Sequence, residues 1–233
     1  MDSLTIIITA SFIPTHPSIR IIQQTIESLK LINMPSDTKI ILAHDYSKNP
    51  KYLEYLQNLT EYIKPYSNIV IVQRNSHGHL TGNIRNSLKY VNSKYILLVQ
   101  HDFPFIRNFN IENVINDMEE NPMIKHVRFN KRNNVKRRWD AQNNLFGLHV
   151  KQSNYTYTRT PAWSDNNHIC LTSYYNNIIM KECPDGCAME KKLKSQARGP
   201  KWHKKFGTYL FGEVNNPAVI KHTDGRRSKP IKE

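Results

Sequence analysis

Short apolar runs alternate with amphipathic segments along the first hundred residues of the chain. The apolar runs are rich in Ile, Leu and Val and lie at 4–10, 39–43, 68–72 and 95–99. Between them, apolar residues recur at helical spacing within 17–32, 52–63 and 80–91. Continuous apolar runs are typical of parallel strands buried on both faces, and an apolar stripe is typical of a helix that covers them. The pattern therefore predicts a β-α-β-α-β-α-β order with right-handed crossovers and a largely parallel sheet.

The regular alternation ends after the fourth apolar run. The later pattern predicts helices at 111–120, 174–180 and 188–197 and strands at 124–129, 168–172, 206–212 and 218–222. A polar, basic, Asn-rich stretch at 130–144 is typical of a surface loop, and a basic tail begins at Asp224. With 233 residues the chain is long enough for one sizeable α/β domain but short for two. We therefore expect a single domain over 1–233.

The charge balance is strongly positive, because 33 Lys and Arg face 19 Asp and Glu and give a formal net charge of +14. Such an excess suits an anionic partner: nucleic acid, a diphosphate-containing nucleotide or an acidic membrane surface. No apolar run approaches the roughly 20 residues that span a bilayer. The residues before the first strand lack the basic start and cleavage site of a signal peptide. We expect a cytoplasmic protein whose contact with a membrane, if any, is peripheral.

The cysteines at Cys170, Cys183 and Cys187 cannot all pair with one another. The spacing of Cys183 and Cys187 suggests zinc, but His168 and His203 do not stand at the spacing of a zinc finger. Reduced, partly buried thiols are the expectation for a cytoplasmic protein.

Polar residues follow each of the four early strands at the point where the strand ends. The residues at these ends are Thr9, Ser11 and the apolar Phe12, then His44 and Asp45, then Gln73 and Arg74, and finally His101 and Asp102. In an open α/β sheet the carboxyl edge of the strands is where ligands bind. We therefore interpret the residues at the strand ends as the lining of a ligand-binding crevice. For Asp102 the alternative is that it caps a turn before Pro104. No glycine-rich dinucleotide fingerprint follows the first strand and no phosphate-binding Gly-Lys-Ser/Thr motif is present, which argues against dehydrogenases and P-loop enzymes.

These strand ends resemble the GT-A glycosyltransferases, especially the inverting, family-2-like type that depends on a nucleotide-sugar. The resemblance implies a Rossmann-like fold with a central, mostly parallel sheet flanked by helices, a nucleotide-binding half at 1–105, an acceptor-binding half at 106–227 and a basic tail at 228–233. It places the stretch 9–12 near the nucleotide and Asp45 at the base. Asn83 and Arg85, on the Gly- and Asn-containing helix after the third strand, would line the same pocket together with Arg74, Gln100 and His101.

The stretch from Tyr95 to Asp102 resembles the strand that ends in the metal-binding Asp-x-Asp motif of this family. Gln100 replaces the first acidic residue, so that Asp102 is the only carboxylate. Mn²⁺ or Mg²⁺ between an enzyme and a diphosphate favours oxygen ligands, and histidine can partly compensate with Mn²⁺. The resemblance implies that Asp102 and His222 hold the ion and that Arg226 lies near the phosphates. A structural or surface histidine is the alternative for His222.

Two later segments resemble the acceptor side of such enzymes. Glu190, at the start of a predicted helix, would be the base that takes the proton of the acceptor hydroxyl, and Asp185 is its rival. The alternative explanation for Glu190 and Asp185 is structural: an acidic residue near the start of a helix is favoured by the helix dipole. Trp163 and Asp165 resemble the loop that contacts the donor sugar and the acceptor, although a buried Trp beside a capping Asp is an equally ordinary explanation.

The resemblance implies transfer of a sugar from a nucleoside-diphosphate sugar, with a UDP-sugar favoured, to a hydroxyl of a glycan or other acceptor. A nucleic-acid-binding module is the alternative from another class, supported by the positive charge and by Trp139 and Trp202 among basic residues. A nucleotidyltransferase of related fold ranks low, because its glycine-rich, basic signature is absent after the first strand. The sequence leaves the oligomeric state open.

Overall fold

The computed structural model describes residues 3–134, 148–193, 196–197 and 199–223. Its strands are β1 (Leu4–Ala10), β2 (Lys39–His44), β3 (Ile69–Gln73), β4 (Tyr95–Gln100), β5 (His126–Arg128), β6 (His149–Lys151), β7 (Thr156–Arg159), β8 (His168–Leu171) and β9 (Thr208–Phe211). Its longer helices are α1 (Arg20–Ser28), which continues as a 3₁₀ turn (Leu29–Ile32), α2 (Tyr52–Ile63), α3 (His79–Leu88) and α4 (Ile111–Glu120). Later come α5 (Thr172–Tyr174), a π-helical turn (Tyr175–Ile179), α6 (Met180–Glu182), α7 (Met189–Leu193) and α8 (Gly199–Phe206).

The strands form one sheet with the spatial order β3-β2-β1-β4-β8-β5-β9-β7-β6. The first four strands are parallel, as the alternating pattern predicts. Beyond β4 the sheet is mixed: β8 runs antiparallel to both β4 and β5, whereas β9 is parallel to β5. The predicted α/β architecture, with helices flanking a central sheet, is confirmed, and parallel pairing dominates only its first half.

The two faces of the sheet bury separate apolar clusters. Along β1, Ile6 and Ile8 belong to the cluster that includes residues of α1, α2 and α4, and Ile7 belongs to the cluster that includes residues of α3. None of the three side chains is exposed. Burying one such side chain contributes about 1.5–3 kcal/mol, and alternate side chains of a strand point to opposite faces. Since β1 is held from both sides, its carboxyl end is a fixed point on which a site can be built.

A hairpin of β6 and β7 adds two strands that the sequence pattern did not predict. Its strands are short, partly exposed and mostly polar, so they lack an apolar run. The buried carboxylate of Asp117 on α4 anchors the hairpin, since it accepts hydrogen bonds from the amides of Asn154 and Tyr155, both at 2.9 Å, and from the Tyr157 hydroxyl at 2.7 Å. Conversely, the strand predicted at 218–222 is reduced to a single bridge between Ile220 and Phe105.

No helix in the described ranges is long and apolar enough to cross a membrane. The predicted thiols are free, with Cys170 and Cys183 buried and Cys187 half-buried. Burial raises the pKa of Cys183 to about 12.

Four buried histidines make the fold sensitive to acid. Burial lowers the pKa of His44, His168 and His203 to about 4 and holds that of His126 well below its usual range. The rings of His126 and His168 stack with centroids 4.2 Å apart, so that a charge on one would face the other. The imidazoles are therefore neutral in the folded protein over the range in which those of the unfolded chain become charged.

We expect the Tm to fall by roughly 5 °C or more between pH 7 and pH 5. Below about pH 6.5 these four histidines take up protons in the unfolded chain that they cannot accept in the folded chain until the pH approaches their lowered pKa values. The stability that these neutral histidines contribute is thus fully present above about pH 6.5, and it is lost as the pH falls towards their pKa values in the folded chain. Calorimetry of His126→Phe should show a flatter profile, and His149→Gln, at an exposed histidine, should keep the original slope. A Tm that stays constant from pH 7 to pH 5 would contradict the prediction.

Candidate active site

An open pocket of about 250 Å³ lies at the carboxyl edge of the parallel strands. At this point β1 pairs with β2 on one side and with β4 on the other. Such a switch point, where the connections leave a sheet in opposite directions, is where open α/β folds bind ligands. The lining residues come from strand ends and from the start of α3: Thr9, Ala10, Ser11, Asp45, His77, His79, Leu80, Asn83, Gln100, His101 and Asp102.

Asp45 holds one wall of the pocket in place. Its buried carboxylate accepts hydrogen bonds from the backbone amides of Gly78 at 2.8 Å, His79 at 3.1 Å and Tyr46 at 3.0 Å. His77 Nδ1 lies 2.8 Å from the same carboxylate. Amides at the start of a helix lack partners within the helix, and a carboxylate satisfies them while it complements the helix dipole. Asp45 therefore fixes the first turn of α3 against the end of β2.

His101 is tied to the neighbouring strand β1. Its backbone amide and its ring Nδ1 both donate to the carbonyl oxygen of Thr9, at 3.0 and 3.1 Å. The hydroxyl of Thr25 on α1 donates to the His101 carbonyl at 2.6 Å. These contacts fix the imidazole where β1 and β4 both reach the pocket.

Asp102 and His222 meet in the structure although 120 positions separate them in the chain. His222 Nε2 donates to Asp102 Oδ2 at 3.1 Å, and the imidazole stacks on Phe103 with ring centroids 4.5 Å apart. The amide and the hydroxyl of Thr223 donate to the backbone carbonyl of Asp102, at 2.8 and 3.1 Å. The predicted partners of a cation are thus side by side, and backbone contacts hold them together.

One carboxylate and one imidazole form a donor set that suits Mn²⁺. Within the part of the chain that the structure describes, no three His, Cys, Asp or Glu side chains could hold an ion together. An ion here would take its remaining ligands from water or from the oxygen atoms of an anionic ligand, as Mg²⁺ does at phosphates. Asp102 and His222 thus offer two ligands of the kind that a divalent cation accepts.

Gln100, at the position of the missing first acidic residue, connects β4 to the loop between β7 and β8. Its Nε2 donates to the Asp165 carbonyl at 2.8 Å and lies 3.5 Å from Asp165 Oδ1. The backbone amide of Gln100 donates to Asn167 Oδ1 at 2.9 Å, and Asn167 Nδ2 donates to the Phe103 carbonyl at 2.8 Å. Burial, followed by the nearby charge of Glu190, raises the pKa of Asp165 to about 7. A carboxyl group with a pKa near neutral pH therefore lies beside Gln100, which lines the pocket.

Asp185 is held between two arginines. Arg85 Nε donates to Asp185 Oδ1 at 2.7 Å and Arg74 Nη1 donates to Oδ2 at 3.3 Å. Arg85 also donates to the carbonyls of Met180 and Cys183, at 3.1 and 2.7 Å. The hydrogen bond from Arg85 is the largest cause of the lowered pKa of the Asp185 carboxyl. Through these hydrogen bonds, Asp185 and its two arginines attach the segment before α7 to α3.

Two glycines let Arg74 lie flat on α3. Gly78 and Gly82 are four residues apart, and a Cβ atom on them would come within 2.5 Å of Arg74 Nε and 2.7 Å of Arg74 Nη1, respectively. Arg74 Nη1 also donates to the carbonyl of Gly82 at 2.8 Å. Both glycines thus have a structural reason of their own, which is room for the guanidinium of Arg74.

Several predicted nucleotide-site residues line the pocket together with Asp102, whereas others do not. Those that line it are Thr9, Ser11, Asp45, Asn83, Gln100 and His101. Phe12 is buried instead, and its ring packs edge-on against Tyr52 and Tyr55 with centroids 6.1 and 5.5 Å apart. Arg74 and Arg85 contact Asp185 rather than the pocket. Arg226 lies outside the described residues, as do Asp224 and Trp139.

On the acceptor side, the structure separates Trp163 from Asp165. Trp163 has no exposed surface and packs in the core near His126 and His168, at centroid distances of 5.5 and 5.9 Å. It therefore cannot contact a sugar in this conformation, and the buried tryptophan is the alternative that the structure shows. Glu190 is exposed in the first turn of α7.

The pocket also contains His77, His79 and Leu80, which the sequence analysis did not select. These residues follow β3, whose carboxyl end lies at the same edge of the sheet, so the rule that selected Asp45 extends to them. Asn83 adds an unexpected detail, because its buried Oδ1 atom has no hydrogen-bond partner among the described residues. A polar atom of this kind at a pocket wall is available to a ligand.

The sequence matches a family model described as Glycosyl transferase family 2 over residues 11–179. No curated protein matches the chain. Solved structures of similar fold include residues 1–349 of TarS from S. aureus, which is 15% identical with a TM-score of 0.61 and covers 96% of this chain and 61% of that one.

The same TarS fragment in complex with UDP-GlcNAc is 14% identical, with a TM-score of 0.61 over 96% of this chain and 59% of that one. The mannosyltransferase PcManGT from Pyrobaculum calidifontis, in complex with GDP-Man and Mn²⁺, is 10% identical, with a TM-score of 0.57 over 89% of this chain and 56% of that one. The chain therefore spans about three fifths of the length of the TarS fragment and of PcManGT.

Proposed function

Since the chain belongs to glycosyl transferase family 2, we propose that it transfers a sugar from a nucleoside-diphosphate sugar to a hydroxyl group of a glycan or another acceptor. The observation that carries the proposal is the polar pocket at the carboxyl edge of the sheet, with Asp102 and His222 in contact beside it. TarS with UDP-GlcNAc and PcManGT with GDP-Man share the fold, which supports a nucleotide-sugar as the donor.

In this proposal the nucleoside occupies the part of the pocket between β1, β2 and α3. Thr9 and Ser11 face the nucleotide, and Asn83 offers its unpartnered Oδ1 atom. Asp45 accepts an N–H group of the base. His77 is mostly exposed, so its contact with Asp45 Oδ2 can be exchanged for that N–H. Uracil has such an N–H at its imide and guanine has one at N1, so Asp45 is compatible with the UDP-sugar that the sequence resemblance favours and also with a GDP-sugar.

The diphosphate then lies next to Asp102 and His222. A bound Mn²⁺ or Mg²⁺ ion would stabilise the negative charge that develops on the leaving nucleoside diphosphate. Asp102 would hold it through a carboxylate oxygen and His222 through Nε2, which would give up its proton and its hydrogen bond to Asp102 when the ion binds. Arg226 is the proposed basic partner of the phosphates.

Transfer with inversion requires a base beside the acceptor hydroxyl, on the face of the sugar opposite the leaving group. Of the two sequence candidates, Asp185 has both carboxylate oxygens in contact with guanidinium groups. Such contacts stabilise the ionised form and make it a poor proton acceptor. Glu190 is exposed and lies close enough to Asp165 for its charge to act there. The ion pairs of Asp185 and the exposure of Glu190 favour Glu190 as the base and give Asp185 a positioning role.

Asp185→Asn is therefore expected to lower kcat by less than about 10-fold and to leave the pH dependence of the reaction unchanged, because removal of a general base costs about 100-fold or more. Its effect on stability should be small, since exposed ion pairs contribute about 0–1 kcal/mol. Initial rates from pH 5.5 to 9 and a melting curve measure both quantities. A 100-fold loss together with a changed acid limb would restore Asp185 as the base.

A thermal-shift screen of UDP, GDP, UDP-sugars and GDP-sugars, each with and without Mn²⁺, tests the function directly. A ligand at about 100 times its Kd stabilises a protein by roughly 2.7 kcal/mol, which corresponds to a rise in Tm of about 5–10 °C for a chain of this size. We expect that rise for a uridine nucleotide in the presence of Mn²⁺ and a smaller one for Asp102→Asn. If no nucleotide raises the Tm, while the protein binds DNA with an affinity that falls steeply with salt, the proposal is wrong.

A further inference from the structure

The backbone of His79 adopts a left-handed conformation at the edge of the pocket, with φ at +53°. A side chain makes this conformation unfavourable, and glycine is its usual occupant. Within the described ranges, the other residues with a side chain at positive φ are Asn33 and Asn215, and neither lines the pocket. Such conformations persist where the surrounding structure imposes them, and they concentrate at functional sites. His79, as a lining residue, is therefore a candidate for a role in ligand binding.

Contacts on two sides impose the conformation of His79. Its amide donates to Asp45 Oδ2 at 3.1 Å, beside the amide of Gly78, which donates to Oδ1 of the same carboxylate. Its imidazole lies against the segment before α7, since the position of a Cβ atom on Gly186 would be 3.9 Å from His79 Cδ2. The residue is nevertheless exposed and forms part of the pocket wall. An aromatic ring is thus fixed at the end of the pocket where Asp45 lies.

The neighbouring ring of His77 makes two contacts that suit a nucleobase as well. His77 Nδ1 lies 2.8 Å from Asp45 Oδ2, and the ring meets that of His79 with centroids 4.2 Å apart. The side chain of His77 is 57% exposed, so water can replace its contacts at little cost. A flat aromatic ring with an N–H group facing Asp45 is also what uracil or guanine presents. His77 therefore stands where a base would be held.

The contact with Asp45 places His79 at one end of the pocket. Asp45 follows β2 and Asp102 follows β4, and both strands pair with β1, which lies between them. Neighbouring strands are about 4.8 Å apart, so the ends of β2 and β4 are separated by roughly 10 Å. In the proposed function the diphosphate lies at Asp102 and the base lies at Asp45. His79 is therefore at the end for the base and not at the end for the phosphates.

We propose that the imidazole of His79 is a stacking platform for the base of the nucleotide, and that His77 occupies the position of the base until the nucleotide binds. These roles rest on the proposed function and identify residues that bind the donor. On binding, the base replaces the His77 ring: Asp45 accepts its N–H, and its face packs on His79. Stacking tolerates every base, so His79 contributes affinity and Asp45 contributes the choice of base.

Calorimetric titrations with UDP and with pyrophosphate, both in the presence of Mn²⁺, test the platform. His79→Asn removes the ring but keeps a residue that tolerates the left-handed conformation. Its Kd for UDP should rise by about 5- to 100-fold, the usual effect of losing one stacked base. Its Kd for pyrophosphate, which has no base, should stay within about twofold. An unchanged Kd for UDP would overturn the proposal, and so would an equal loss for both ligands, which would place the imidazole at the phosphates.

His77→Ala should act in the opposite direction. Removal of the competing ring leaves Asp45 and His79 open to the base. The Kd for UDP should therefore fall by about two- to fivefold, an effect of the size of one exposed ion pair. A Kd that is unchanged or higher would show that His77 does not occupy the position of the base.

His79→Gly separates a role in binding from a role in folding. Glycine adopts the left-handed conformation without strain, so the Tm of the protein without nucleotide should rise by about 2–4 °C, while the Kd for UDP rises as in His79→Asn. Asn33→Gly, at an exposed residue of the same backbone conformation outside the pocket, should leave the Kd unchanged. A fall in the Tm of His79→Gly would show that the side chain stabilises the fold and would overturn a conformation maintained for binding.

The same titrations separate this proposal from the proposed function. If the two histidine variants shift the Kd for UDP as expected but no nucleotide-sugar is consumed, sugar transfer fails and the base site stands. If sugar is transferred and His79→Asn binds UDP as the unmodified protein does, the base site fails and the function stands. If the unmodified protein binds no nucleotide, both are wrong.

Discussion

Asp102→Ala is expected to reduce kcat/KM for sugar transfer by about 100- to 1,000-fold, the usual cost of removing a group that stabilises developing charge in a transition state. The side chain is 5% exposed and its Oδ2 atom contacts His222 at 3.1 Å, so the substitution removes a buried carboxylate from the pocket. Most of the loss should appear in kcat, because the charge on the leaving diphosphate is larger in the transition state than in the bound substrate.

Steady-state rates with a nucleotide-sugar in the presence of Mn²⁺ measure this effect, and Asp37→Ala, at an exposed carboxylate, is the matched control. The backbone contacts of Asp102 with Thr223 survive the substitution, so the variant should remain folded. His222→Ala should lose activity as well, and the double variant should be little worse than Asp102→Ala, because both residues act on the same charge. A variant within threefold of the unmodified rate would exclude Asp102 from the diphosphate site.

The parallel half of the fold could be predicted from the sequence because its strands are buried on both faces. β1 and β4 have continuous apolar runs, and their polar residues begin where the strands reach the pocket. The hairpin of β6 and β7 has no such signal, since its stability depends on the carboxylate of Asp117 some forty residues earlier in the chain. Local pattern predicts elements that are stabilised by their own burial and fails for those stabilised by a distant side chain.

The same distinction applies to the residues of the candidate site. Residues at strand ends were found by position alone, because the carboxyl ends of parallel strands meet at one edge. The partners of charged side chains could not be found in that manner, since the sequence does not show which charges are neighbours in space. Arg85 is a helix residue in the right part of the chain for a nucleotide, yet its guanidinium contacts Asp185, 100 positions later.

Trp163 shows how the same residue type supports two interpretations that only burial separates. The loop from Pro161 to Asn167 contains Trp163, Asp165 and amide side chains, a composition that suits both a sugar-binding loop and a buried turn. In the structure Trp163 enters the core, whereas Asp165 stays beside Gln100, which lines the pocket. Because Trp163 belongs to the core, its truncation is the single substitution from which we expect the largest loss of stability.

Trp163→Ala should destabilise the protein by about 3–5 kcal/mol, the usual cost of truncating a fully buried aromatic side chain. In a chain of this size that loss lowers the Tm by roughly 6–20 °C, and the cavity would open beside His126 and His168. Trp202→Ala is the matched control, since this tryptophan is 43% exposed on α8 and its loss should cost less than about 1 kcal/mol.

Trp163→Phe separates a core role from a sugar contact. Phenylalanine refills part of the cavity, so this variant should fold, with a Tm between those of the unmodified protein and Trp163→Ala, and can be assayed. Because the indole does not reach the pocket surface, the KM for the nucleotide-sugar should stay within about threefold of the original value, since loss of a stacking contact worth about 1 kcal/mol or more would change it further. A Trp163→Phe protein with an unchanged Tm and a KM raised by about 10-fold would place the ring at the sugar after all.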